Sequence, residues 1–183
     1  MRIGYADPPY IGCAHLYKDH PDYAGEVVDH GELMARLNRE FDGWVLHASA
    51  TAESIAVIAP AARYFGARWC VWTKGFAAFK ANVSVAYAWE PVIIKAARKP
   101  VVSGRIVMRD WIQESITLER GLTGAKPEKV CHWAFELVGA EPSDELIDLF
   151  PGTGAVTRAW ETWRRQLELQ LHEVAPAATE EQK

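Results

Sequence analysis

Cysteine is scarce, and nothing arranges it for cross-linking or for holding a metal. The chain has three, Cys13, Cys70 and Cys131, separated by 57 and 61 residues. An odd count at such distances suits neither a disulfide framework nor the close spacing of zinc ligands, so they read as free thiols. None of the six histidines pairs with another at the i, i+4 spacing that sets two imidazoles on one helical face. No metal centre is expected. Long apolar runs are also missing. No stretch approaches the roughly 18 residues of a membrane span, and MRIGYADPPY lacks the basic start and apolar core of a signal peptide, so a cytoplasmic location is expected. A phosphate-cradling G-x-x-x-x-G-K-[ST] loop is absent, which removes the ordinary nucleotide-hydrolase class.

What is present is an ordinary globular composition: 183 residues, 49% hydrophobic and 24% charged. That fits one domain over residues 1–173, followed by a flexible Ala/Pro/Glu-rich tail over 174–183. The formal net charge of -4 is unevenly spread. Residues 60–110 carry nine basic side chains against only Glu90 and Asp110. A segregated cationic segment can neutralise phosphates even on an acidic protein, and Lys74, Lys80, Arg98, Lys99 and Arg105 are the candidates. The aromatics interleaved with them are Trp69, Trp72, Phe76, Phe79 and Trp89; Trp69 and Trp72, embedded in a strand pattern, read as core.

Hydrophobic periodicity predicts alternating strands and helices. A strand over Arg2–Ala6 is stopped by Pro8 and Pro9, and a long polar loop over residues 11–30 follows. A helix over His30–Phe41, a strand over Trp44–Ala48, a helix over Ala52–Tyr64 that Pro60 ends or kinks, and a strand over Arg68–Thr73 come next. Residues 83–96 hold a strand or a strand pair interrupted at Pro91, whereas 97–122 fit short strands or a partial helix equally. Pro127 opens a helix that Gly139 closes, and Glu145–Phe150 is a strand. A last helix runs over Ala155–Leu171, with Val156, Ala159, Trp160, Trp163, Leu167 and Leu171 on its buried side. The fold class is α/β, a mostly parallel sheet flanked by helices.

Ligands of such sheets bind outside the carboxyl ends of the strands, and two loops there stand out. In Asp7-Pro8-Pro9-Tyr10 two residues of fixed φ hold a carboxylate and an aromatic ring in a stiff arrangement. Asp7 and the Pro8 carbonyl can accept both hydrogens of an exocyclic amine while Tyr10 stacks on the ring that bears it. The second loop, Asp148-Leu149-Phe150-Pro151-Gly152-Thr153-Gly154, leaves a strand and opens a helix, with glycines that admit a ligand close to the backbone. A dinucleotide loop would require glycine where Thr157 stands, so NAD is disfavoured.

D-P-P-Y followed by D-x-F-x-G-x-G resembles the catalytic and S-adenosylmethionine-binding motifs of amino-directed nucleic-acid methyltransferases, in the permuted, beta-class order of the adenine-N6 DNA enzymes. Thr123-x-x-Lys126-Pro127 resembles that family's T-x-K-P segment with one extra spacing residue, and Glu90-Pro91-Val92-Ile93 a weaker signal on a later strand. The resemblance implies a Rossmann-like S-adenosylmethionine-dependent methyltransferase fold in reduced or truncated form. Asp148, Phe150, Pro151, Gly152, Thr153 and Gly154, with Lys126 and Pro127, would bind the cofactor, and Asp7, Pro8, Pro9 and Tyr10 the target base. It implies methylation of adenine N6 in DNA. Alternatives are RNA adenine-N6, cytosine-N4, or a non-catalytic nucleic-acid-binding module of the same fold. The family's next strand, whose acid holds the cofactor ribose, has no counterpart here, so either another segment, a homodimer or a partner subunit completes the pocket, or cofactor binding is weak. His15, Tyr17, His20 and Tyr23 read as a lid over the base site or as a polar surface loop.

Overall fold

The computed structural model describes residues 1–12, 27–75, 84–99, 107–116 and 125–174, with side chains to residue 170. Six strands, β1 (Arg2–Ala6), β2 (Gly43–His47), β3 (Arg68–Thr73), β4 (Trp89–Lys95), β5 (Trp111–Gln113) and β6 (Glu145–Asp148), form one sheet in the order β5-β3-β4-β2-β1-β6. β1 pairs in parallel with β2 and β6, and β3 with β5; β4 is antiparallel to both of its neighbours. Five strands thus share one direction and β4 alone is reversed, so the sheet is mixed.

Helices α1 (His30–Glu40) and α2 (Ala52–Phe65) cover one face, α3 (Glu128–Val138) and α4 (Ala155–Val174) the other. β1 and β2 divide their side chains between these layers by simple alternation: Tyr5 and Val45 face α3 and α4, whereas Ala6, Trp44 and Leu46 face α1 and α2. Asp29 caps α1 through its carboxylate, Thr51 caps α2 through its hydroxyl, and Gly139 ends α3 at φ +75°, the left-handed conformation that glycine adopts without penalty. In the α3/α4 layer Phe135 meets Trp160, Trp163 and Tyr5 edge-on, with ring centroids 5.1, 5.7 and 5.8 Å apart.

Two prolines behave differently from expectation. Pro60 lies inside α2 without ending it. Pro91 lies inside β4, which continues unbroken to Lys95. The Pro91 carbonyl accepts from Ala48 N, one residue beyond the end of β2. Because N and C=O of one strand residue point to the same side, the missing N–H falls past the end of that ladder and costs no strand hydrogen bond. β6 is shorter than its hydrophobic run, because Phe150 N turns back to Asp148 Oδ1 at 3.2 Å.

Gly43 opens β2 where the chain leaving β4 crosses it: a Cβ there would lie 2.5 Å from the backbone nitrogen of Ala97. Gly43→Ala is expected to lower stability by about 1–3 kcal/mol, since backbone must move to admit it, and urea denaturation measures this.

Candidate active site

β1 and β6 are neighbours with Tyr5 in register with Asp148, and Leu149 N donates to Tyr5 O at 2.9 Å. The Asp7-Pro8-Pro9-Tyr10 and Asp148–Gly154 loops therefore leave adjacent strands at the same end of the sheet. The reversed direction of β4 brings its first residues to this end as well, so Glu90, opposite Trp72 of β3, joins them.

Four charged side chains and one phenol interlock here. Lys126, on the approach to α3, places Nζ 2.9 Å from Asp7 Oδ1 and 3.5 Å from Glu90 Oε2, and donates to the Tyr10 hydroxyl at 3.1 Å. The Tyr10 hydroxyl in turn donates to Glu90 Oε2 at 2.7 Å, with Asp7 Oδ1 3.4 Å away. Lys74 Nζ holds the other Glu90 oxygen at 2.5 Å and lies over the Trp72 ring. Burial alone would raise the Glu90 carboxyl, but Lys126 and Lys74 outweigh it and hold its pKa down at about 2. Asp7 goes the other way: burial raises it, the Glu90 charge adds, and Lys126 offsets this only in part.

Beneath the cluster, the fully buried Tyr5 hydroxyl and His47 Nε2 are 2.7 Å apart. Burial and the nearby Lys126 push the His47 pKa well down, so the imidazole is neutral; its Nδ1 is buried and makes no hydrogen bond among the described residues.

On the β6 side, Asp148 Oδ1 accepts from Phe150 N, while Oδ2 is buried without a hydrogen bond of ordinary geometry among the described residues. Its pKa is pushed up to about 6, chiefly by burial, with Asp7 adding and the Phe150 N–H and Thr157 side chain opposing. Gly152 and Gly154 have φ of +45° and +73°, and among the described residues a Cβ on Gly152 would meet only Phe150 O at 3.8 Å. A buried acid beside a glycine loop is a place for a cation.

The expected residues fall into three groups. Asp7 to Tyr10, Asp148 to Gly154 and Lys126 with Pro127 come together; Lys126, expected on the cofactor side, reaches Asp7, Glu90 and Tyr10. Of the phosphate-binding set, Lys74, Arg98 and Lys99 are among the described residues. Lys74 is tied to Glu90 with its side chain only 16% exposed, and Arg98 is locked bidentate on Asp144 at 2.6 and 2.9 Å. Since β4 is antiparallel, Arg98 and Lys99 emerge at the far end of the sheet, and of these three only Lys99 is exposed. Lys80, Arg105, Phe76, Phe79, Thr123 and the lid residues His15, Tyr17, His20 and Tyr23 lie outside the described residues. Trp72 is buried and Trp69 packs against the α1/α2 core, as the core reading expects. Sequence reasoning left Glu90 and His47 without a role in the site. The signals for Glu90 were its resemblance to a family segment, Glu90-Pro91-Val92-Ile93, and its place ahead of an apolar run.

No protein-family model matches the chain, and no curated protein matches it in sequence. A solved structure, the M1.HpyAVI–SAM complex, superimposes with a TM-score of 0.54 at 15% identity, over 88% of this chain and 89% of that one. The fold is the Rossmann-like methyltransferase fold. A structure of M1.HpyAVI alone gives a TM-score of 0.49 at 15% identity, over 89% and 75% of the two chains. Within the methyltransferase fold, the cluster around Asp7 and the glycine loop after β6 occupy the carboxyl ends of adjacent strands, where ligands of α/β sheets bind. Among the described residues no helix is long and apolar enough to cross a membrane, and no group of His, Cys, Asp and Glu is placed to hold a metal.

Proposed function

We propose that this protein transfers a methyl group from S-adenosylmethionine to the exocyclic N6 amine of adenine in DNA. The adjacency of the two loops carries the reading: in-register pairing of Tyr5 with Asp148 sets an amine-accepting carboxylate beside a glycine loop suited to a cationic ligand. The fold shared with a structure solved with SAM adds to it.

The residues fit the cofactor. Its sulfonium and ammonium groups are cationic, and the buried Asp148 carboxyl and the glycine backbone at Gly152 suit such a ligand. When bound, it supplies a methyl group that an amine nitrogen can displace from sulfur. Asp7 and the Pro8 carbonyl would accept the two amine hydrogens and turn the nitrogen lone pair out of conjugation with the ring. Tyr10 would stack on the base, worth about 1–3 kcal/mol, which offsets the few kcal/mol needed to flip it from a duplex. Asp7, its carboxyl raised by burial, would take the proton that the nitrogen sheds. Alignment of the two reactants can remove roughly 7–11 kcal/mol of the barrier, so no stronger base is required.

Incubation with labelled S-adenosylmethionine and DNA, digestion to nucleosides and mass analysis should yield N6-methyladenine. N4-methylcytosine, or methylation of RNA alone, would reassign the target. Folded protein that binds cofactor and yields no methylated nucleoside would defeat the proposal. The engagement of Asp7 by Lys126 favours one second reading, a nucleic-acid-binding module that does not catalyse. Calorimetry separates the two, since that module has no need of the cofactor.

A further inference from the structure

Glu90 is out of place by hydropathy. It is the second residue of β4, whose next five residues are apolar but for Lys95 at the end, and its side chain is 11% exposed. Burying a carboxylate costs several kcal/mol, which a purely structural position would avoid with a leucine or valine. Three groups converge on it: Lys74 on one oxygen, and Lys126 and the Tyr10 hydroxyl on the other. The last two also reach Asp7 Oδ1, at 2.9 and 3.4 Å.

We propose that Glu90 is a positioning residue that holds the Tyr10 ring and the Asp7 carboxylate in one fixed relation, making a pre-set slot for a planar ring bearing an exocyclic amine. The identity of the occupant rests on the function proposed above; the coupling of Tyr10 and Asp7 through Glu90 does not. A ring that only stacks needs a face and no hydroxyl. Here the hydroxyl is gripped from both sides, accepting from Lys126 and donating to Glu90, so the ring cannot swing about its Cβ without breaking a charge-assisted hydrogen bond. Lys126 in turn is shared between Glu90 and Asp7, so Glu90 decides how much of that cation Asp7 receives. The ordering of ring and carboxylate is thus met on folding, before any base arrives.

The charged and titratable groups facing Asp7 are Lys126 ahead of α3, Cys131 within α3, Glu90 of β4, Tyr10 of its own loop, Tyr5 of β1 and Asp148 of β6. Glu90→Gln removes a negative charge that opposes ionisation of Asp7 and that draws on Lys126, so the Asp7 titration midpoint should fall. Lys126→Met removes the cation and should raise it. Carbon-13 NMR of labelled aspartate carboxyls in the unliganded protein reads both shifts. In turnover, Tyr10→Phe and Glu90→Gln should each lower kcat about tenfold with the KM for S-adenosylmethionine unchanged, and the double variant should be no worse than the poorer single one. An Asp7 midpoint that ignores Glu90→Gln, or Tyr10→Phe with full turnover, overturns the proposal. If Glu90→Gln does not fold, Tyr10→Phe, which removes a single oxygen, decides alone. Opposite NMR shifts in a protein that methylates nothing would uphold the positioning role and sink the methyl-transfer reading; methyl transfer with unmoved midpoints would do the reverse.

Discussion

Asp7→Asn lowers turnover on DNA by about 10²- to 10³-fold while leaving S-adenosylmethionine affinity within about twofold, as single-turnover assays and calorimetry should register. The asparagine keeps the shape of the side chain and one acceptor oxygen, so loss of fold does not explain the effect. In the proposed reaction it would remove the negative charge that draws the amine hydrogens as positive charge develops on nitrogen, and the group that would take the departing proton. The substitution also removes the carboxylate that holds Lys126 toward the slot, while Glu90 and Tyr10 keep their hold on the ammonium. Because burial raises the Asp7 pKa, wild-type turnover should decline with acid at a pH above the ordinary range for aspartate, and the asparagine variant should lose that limb.

Asp148→Asn should have two large effects of opposite sign. The carboxyl rises from its ordinary 3.8 to about 6 on folding, so the folded state holds its proton more tightly than the unfolded one. Below 3.8 both states are protonated and nothing is lost. Between 3.8 and 6 stability falls as pH rises, and above 6 the full cost is present. After allowance for partial exposure that cost is about 2 kcal/mol, so the variant should be more stable than wild type by this amount at pH 7 and equal to it near pH 3. Urea unfolding at the two pH values checks the sign. Cofactor affinity should move the other way. A cationic ligand favours ionised Asp148, so wild-type binding should strengthen as pH rises through about 6. The variant should bind about 10- to 100-fold more weakly, with a flatter pH profile. A site that destabilises its own fold until a cation arrives is what a binding carboxylate, rather than a structural one, would show.

The Arg98–Asp144 pair has the reverse character. Asp144 also receives the chain's N-terminal amine at 2.8 Å and the Glu141 N–H, and these hold its carboxyl far below the ordinary aspartate range despite burial. All its partners are met, so it reads as a clasp between the start of β1 and the start of β6, distant from the site.

Local chemistry made much of this legible in the residues alone. β3 has its predicted bounds, α3 begins just after Pro127 and is closed by Gly139, and the apolar stripe of α4 from Val156 to Leu167 packs where its periodicity places it, Leu171 lying outside the described side chains, because these features depend on proline, glycine and side-chain spacing within a few residues. The two loops were readable for the same reason: their stiffness and openness are written into Pro8, Pro9, Gly152 and Gly154. Strand direction is not a local property. Nothing in WEPVIIK states that β4 runs against its neighbours, yet that reversal brings Glu90 to the site and sends Arg98 and Lys99 to the opposite end, dispersing a basic segment that looks continuous along the chain. Likewise the sequence marks Lys74 for phosphate and Lys126 for the cofactor, with no sign that they share a partner; only packing sets both against one buried carboxylate, where low exposure strengthens the attraction.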